Sequence, residues 1–291
     1  RNPVSRRSTF CDYTAYITLN IHKSNMPKLF LGFIFALIIS ILAYKAKSLD
    51  KSGAIAATLE GTLIFGLGGW EWAILLLTFF ISSSALSKMF KKRKAHLQEK
   101  FDKGSRRDAM QVFGNGGLAA LFAALHFFYN DALWPWLGFA AALAAVNADT
   151  WATELGVLAK SQPRLISNLR QKVEKGTSGG VSVTGTLASL AGAALIGILA
   201  GLFSSSGSIF PIFMLITLAG LLGALFDSLL GATIQAIYYC PICEKETERH
   251  PLHLCGSETR YFRGWKWLTN DWVNFACAGF GVLVAFTSLL L

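Results

Sequence analysis

Long apolar runs separated by short polar segments organise this chain. Eight of them fall at about 28–44, 52–68, 70–87, 111–129, 133–152, 183–203, 209–236 and 272–291. Each is long enough, or nearly so, to cross a hydrocarbon core of about 30 Å as a helix. The second is short and is interrupted by Glu60. The pattern predicts an all-α polytopic membrane protein, a bundle of about seven to eight transmembrane helices with the loops of one face forming the site. Residues 1–27 differ in character, with Arg1, Arg6 and Arg7 among scattered polar residues and no apolar core, so they do not read as a secretory signal. They read as a polar leader that need not be native, because "MPKLFLGFIFALIIS" from Met26 looks like a natural start. Residues 28–291 then form a single membrane domain, in which the loop 237–271 stands out.

Composition excludes a soluble domain. Hydrophobic residues make up 53% and charged residues 15%, with a mean hydropathy of +0.45, well beyond ordinary soluble usage. The 27 glycines and eight tryptophans suit closely packed helices and interfacial rings. The net charge of +10 is unevenly spread. With the segment after the first span placed in the cytoplasm, the loops 45–51, 88–110, 153–182 and 237–271 carry three, nine, five and five Lys or Arg. Opposite segments such as "YNDAL" and "SSSGS" carry none. The alternation thus puts 22 of 27 positive charges on one side and predicts a multi-pass protein with its basic loops cytoplasmic. The densest run, Lys88 to Asp108, reads as a solvated segment near anionic headgroups. Membrane lipids, not nucleic acid, are the expected partners. Arg106 and Arg107, just before the next span, are the better candidates for touching a phosphate.

Polar residues within or at the ends of membrane spans are costly and point to function. Here they are Glu60; Gln111 and Asn115; Asn147, Asp149 and Glu154; Asp227 and Gln235; and Asn270, Asp271 and Asn274. Apart from Glu60, each group lies near the cytoplasmic end of its span. Any one of them could be an interhelical hydrogen bond; their shared depth asks for a common site. In "NADTWATELG", about 100° per residue puts Asn147, Trp151 and Glu154 on one face, with Asp149 and Thr153 roughly 140° away. Either the helix ends near Thr150 or the two acids do different jobs. Asp149 with an acid from another helix would suit Mg²⁺, which takes one or two carboxylates plus substrate phosphates.

Three further motifs carry chemistry. "EKGTSGGVSVTGT" (Glu174 to Thr186) leads into a span with Lys175, the hydroxyls of Thr177 and Ser178, and the flexible Gly176, Gly179 and Gly180. Backbone amides there, with the following helix N-terminus, would cradle phosphates, although the order is not that of a Walker A loop. In "FDSLLGATIQ", Asp227 and Gly231 share a helix face, which leaves room beside the acid. In "TNDWVNF", Asn270 and Asn274 share another, and Asn270 or Asp271 is also a natural N-cap. Finally, "CPICEKETERHPLHLC" offers Cys240, Cys243, His253 and Cys255 as four ligands of a structural zinc, with His250 as substitute. Reduced, unligated thiols are the alternative.

Taken together, these motifs resemble an integral membrane family known as domain of unknown function 92. The resemblance runs through Asn147 to Gly156, Gly176 to Val181, Asp227 to Gln235 and Asn270 to Asn274, and covers roughly 28 to 291. It implies a nucleotide-dependent kinase that phosphorylates a phytyl or polyprenyl monophosphate to the diphosphate. On that reading Asp149 and Asp227 hold Mg²⁺, and Lys175 with Gly179 and Gly180 cradle a CTP, ATP or GTP donor. Arg106 or Arg107 binds the acceptor phosphate. Asn115, Glu154, Asp271 and Asn274 are further metal or ribose candidates, with Asn147, Gln235 and Asn270 nearby. A CTP-dependent cytidylyltransferase or a transporter using intramembrane carboxylates is the alternative.

Overall fold

The computed structural model of the protein describes residues 7–90 and 106–287, with side chains from residue 26 onward. Much of the basic run after Lys88 therefore lies outside the described residues. Eight α-helices account for most of the described chain: α1 Arg7–Lys45, α2 Lys51–Leu63, α3 Trp70–Met89, α4 Ala109–Phe128, α5 Trp134–Gly156, α6 Val183–Leu202, α7 Ile209–Thr233 and α8 Asn270–Thr287. Five are long and apolar enough to cross a membrane: the Met26–Lys45 part of α1, then α3, α4, α6 and α7. The short second span is α2 continued by a π-helical turn, Ile64–Gly68. Helix α1 begins at Arg7 and so runs through the expected leader into the first span.

Helix α5 occupies the centre. It packs against α3, α4, α6, α7 and α8, and every residue from Phe139 to Ala145 has no exposed surface. Its small side chains make this possible. A Cβ on Gly220 of α7 would lie 2.9 Å from that of Ala144, and one on Gly223 would lie 2.6 Å from that of Ala145. With no hydrophobic force between helices in lipid, such close packing is what holds a bundle together. At the end remote from the site, Trp136 Nε1 donates to the Ala200 carbonyl at 3.1 Å, and Trp72 packs on Phe139 with ring centroids 4.6 Å apart.

Successive helices run in opposite directions, so α2, α4, α6 and α8 begin on the face where α1, α3, α5 and α7 end. The starts of α2 and α4 are tied together: Asp50 N–H donates to the Arg107 carbonyl and Arg107 N–H to the Ser48 carbonyl, both at 3.0 Å. Asp50 caps α2 through Gly53 N–H at 2.7 Å. Asp108 and Gln111 form a reciprocal capping box on α4.

Two segments of this face that the all-helical expectation left as loops contain small antiparallel sheets. In the first, β1 (Arg164–Leu165) lies between β2 (Asn168–Lys172) and β3 (Gly180–Val181). In the second, β4 (Ile237–Cys240) lies between β5 (Lys245–Thr247) and β6 (Arg260–Arg263), with Tyr238 opposite Thr247 and Tyr261. These strands fix the loops over the bundle. The second sheet also ends α7 three residues earlier than the hydrophobic pattern suggests. Arg263 donates to the carbonyls of Gly231 and Ala232 at 3.2 Å each, a cation on a helix C-terminus. Gly264, at φ +92°, lies so close to the Gln235 carbonyl that a Cβ would sit 1.9 Å from its oxygen. Gly264→Ala is therefore expected to destabilise the protein by about 2–4 kcal/mol, read as a lowered thermal midpoint in detergent.

Candidate functional site

A cavity of about 310 Å³ opens on this face where six helices and the glycine loop meet. Its walls follow from helix direction. The first turns of α6 and α8 supply Ser182, Gly185, Asn270, Asp271 and Asn274; α4 supplies Gln111 and Asn115; the last turns of α5 and α7 supply Asp149, Glu154, Asp227 and Gly231. Helix N-termini carry partial positive charge and unsatisfied N–H groups. Carboxylates on the facing helices carry full negative charge. The cavity therefore presents anion-seeking and cation-seeking groups to the same volume, as a metal–phosphate complex requires.

The two acids of α5 face different partners, as the helical angles required. Glu154 is buried and accepts a hydrogen bond from Ser87 Oγ at 2.7 Å, on the side where the charge of Arg107 acts on it. Asp149 faces Asp227 of α7, and the charges of Asp149, Asp227 and Glu248 all act on one another. Asp227 Oδ2 is buried without a hydrogen-bond partner. Three mutually repelling carboxylates in one cavity are a standing demand for cations. Glu248 comes from the turn after β5 and is fixed by two donors, Ser178 Oγ at 2.6 Å and Gln235 Nε2 at 2.9 Å. It ties the Cys/His loop to the glycine loop and to the end of α7.

The glycine loop is built more rigidly than its composition suggests. Gly176 and Gly179 take φ of +79° and +81°. A Cβ on Gly179 would lie 2.4 Å from Ala232 N, so the loop rests directly on the end of α7. The Gly180 amide donates to the Thr177 carbonyl at 3.0 Å, which engages one of the amides expected to cradle phosphate. Lys175 lines the cavity, with its Nζ donating to the Ala159 carbonyl. Arg107 lines it too. Its guanidinium sits 5.7 and 5.6 Å from the ring centres of Phe79 and Phe80 and donates to Ser84 Oγ at 3.1 Å. Burial pushes its pKa down to about 10, against the opposing pull of Glu154, so it remains charged at neutral pH.

Of the expected site residues, Asn115, Asp149, Glu154, Lys175, Thr177, Ser178, Gly179, Gly180, Asp227, Gln235, Asn270, Asp271 and Asn274 all line this cavity, as does Arg107. Two do not. Asn147 is wholly buried one turn deeper, donating to the Gly192 carbonyl at 2.7 Å and accepting from Ser82 Oγ at 3.1 Å. It joins α5 to α6 and α3. Arg106 is exposed and lies 5.8 Å from the ring centre of Tyr44. Conversely, Glu248 and Ser87 line the cavity without having been expected. Glu248 sits in a charge-rich loop with no periodicity, and Ser87 in a run of four serines within six residues; neither has a local pattern to mark it.

The sequence profile described as integral membrane protein DUF92 matches residues 34–282. The chain belongs to the DUF92 family of integral membrane proteins. Protein PGR of Arabidopsis thaliana is 36% identical over 272 residues, covering 83% of this chain and 91% of that protein. An uncharacterized membrane protein of Methanocaldococcus jannaschii is 34% identical over 209 residues, 72% of this chain and 84% of its own. Protein VTE6, chloroplastic, also from Arabidopsis thaliana, is 28% identical over 249 residues, 81% of this chain and 64% of its own. No solved structure matches the chain.

The Cys/His loop of this DUF92 protein brings four ligand atoms together. Those of Cys240, Cys243, His253 and Cys255 all lie within 4.8 Å of one another. Cys240 and Cys255 sulfurs are 3.6 Å apart, and His253 Nδ1 is 3.3 Å from Cys255 Sγ. A tetrahedral Zn²⁺ with bonds of about 2.3 Å to sulfur needs sulfur pairs about 3.8 Å apart, so the donor set fits. Cys243 N–H donates to Cys240 Sγ at 3.4 Å, the backbone-to-sulfur bond that supports a thiolate ligand. His250, the substitute ligand, is instead stacked on Tyr238 at 4.3 Å, with Nδ1 3.4 Å from Thr259 Oγ1.

Proposed function

We propose that this protein is a Mg²⁺-dependent kinase that transfers the terminal phosphoryl group of a nucleoside triphosphate to an isoprenoid monophosphate, giving the lipid diphosphate. The observation that carries this reading is the meeting of Asp149, Asp227 and Glu248 with the N-termini of α6 and α8 in one cavity. The resemblance of the family motifs to those of phytyl-phosphate kinases supplies the acceptor class. The excess of Lys and Arg in the loops of this face supports a cytoplasmic site.

Asp149 and Asp227 would hold Mg²⁺, which when bound neutralises the donor phosphates and steadies the leaving diphosphate. Thr177, Ser178 and Gly179, with the start of α6, receive the phosphate chain, while Asn270 and Asn274 offer hydrogen bonds to ribose or base. Arg107 binds the acceptor phosphate. One of that phosphate's oxygens forms the new P–O bond as the bond between the terminal phosphorus and its bridging oxygen breaks, and the nucleoside diphosphate departs. The second pKa of a phosphate monoester is about 6, so the nucleophile is already ionised at neutral pH and needs no general base. Positioning and charge compensation suffice.

Zn²⁺ on the Cys/His set would be structural, because four protein ligands leave no open position. Its role is to hold Glu248 in place. The deciding experiment supplies purified protein with Mg²⁺, each labelled nucleotide and a panel of prenyl monophosphates, with Asp149→Asn as control. Lipid diphosphate from the native protein alone is the expected product. A CDP-lipid would identify a cytidylyltransferase. No product from any pairing, or full activity in the variant, would remove the kinase reading.

A further inference from the structure

We infer that the hydrocarbon chain of the acceptor lipid lies in a separate apolar groove between α1 and α3 and that its phosphate enters the polar cavity past Arg107; the kind of head group rests on the kinase reading. The groove has a volume of about 250 Å³. It is walled by Phe35 and Ile39 of α1 and by Ala73, Ile74 and Leu77 of α3, with Phe65 of the π-helical turn among its other lining residues. Helix α1 packs on α2 and the π-helical turn, while α3 packs on that turn, α5 and α6. The two outer helices thus form opposite walls of a slot.

The slot and the polar cavity are joined. Arg107, Gln111 and Asn115 line both. Arg107 is the hinge of the arrangement: its guanidinium lies over Phe79 and Phe80, both of which wall the groove, while its charge acts on Glu154 in the cavity. Among the described residues the other charged one lining the groove is Glu60, which is 4% exposed, has Oε1 without a hydrogen-bond partner and presses Oε2 on Gly116. An acid at depth and an arginine at the rim give the slot a direction. A phosphate is attracted to Arg107, the cation among the described lining residues. An uncharged chain fills the carbon-lined remainder, gaining about 25 cal/mol per Å² buried. The occupant is therefore a single-chain amphiphile with an anionic head. That is the shape of an isoprenoid monophosphate and not of a two-chain phospholipid.

The test uses full-length protein in detergent and a phytyl monophosphate carrying a photoactivatable diazirine midway along its chain. Adducts are expected on Phe35, Ile39, Ile74 and Leu77. They should be competed by unlabelled phytyl phosphate but not by phosphatidylcholine, and lost when the slot is filled by Ala73→Trp or, from another wall, Ala57→Phe. In turnover, either variant should raise KM for phytyl phosphate about tenfold or more, while KM for the nucleotide and for a five-carbon prenyl phosphate stays within about twofold. Adducts spread over outward residues such as Leu187 and Leu218, competition by phosphatidylcholine, or labelling undiminished in variants of native melting temperature would each overturn the proposal. Groove labelling without any lipid diphosphate would leave the groove standing and remove the kinase reading. Diphosphate formation with labelling elsewhere would do the reverse.

Discussion

Asp227→Asn is expected to lower lipid diphosphate formation by about 10³-fold while leaving the melting temperature unchanged or higher. Both halves come from the same geometry. Asp227 Oδ2 is buried and unpartnered, and the carboxyl feels the charges of Asp149 and Glu248. An amide of the same shape removes a buried carboxyl whose ionisation Asp149 and Glu248 oppose, which relieves the apo fold. It also removes a charge that Mg²⁺ and the donor phosphates require. Sites that store repulsion in this way exchange stability for function. Turnover and thermal melting on one preparation check the claim. A variant that stays active, or that loses activity only because it unfolds, contradicts it.

Removal of zinc should have the second largest effect. Metal analysis of protein with intact thiols is expected to give one zinc per chain. Chelation, or Cys240→Ser, should cut turnover about 10–100-fold, the usual cost of disturbing residues that support a site. The path is physical and short: the Cys/His set pins the loop after β4, and Glu248 in that loop binds Ser178 and Gln235. Glu248→Gln should reproduce most of the kinetic loss and retain the zinc. Zinc-free protein with thiols intact and full activity would refute the role of the loop.

Much of this site could be read from sequence because it sits at helix ends, where period and depth are legible together. Asp149 and Glu154 were separable by helical angle alone, and they do face different partners. His253 rather than His250 lies with the cysteines, the ligand set expected from the sequence. Other features depend on contacts between distant segments. Whether Asn147 faces the cavity or α6 depends on the close approach of Gly192, which no local pattern encodes. Arg106 and Arg107 are equivalent in sequence, and only the tie between the starts of α2 and α4 turns one inward. Glu248 becomes part of the site through the second small sheet, whose strands of three and four residues are too short for a periodic signal.

The enclosure of α5 by five neighbours also bears on how the protein is made. A helix that leaves the insertion machinery early must first meet lipid, and this one meets it with a middle of alanines and a polar last turn. Leucine-rich α7 gains far more from the bilayer alone. Helix α5 is thus stable in the membrane chiefly as a member of the assembled bundle, held until α6, α7 and α8 have emerged to surround it. Its place in the chain, ahead of α6, α7 and α8, makes the α7–α8 hairpin the step that seals the carboxylates away from lipid.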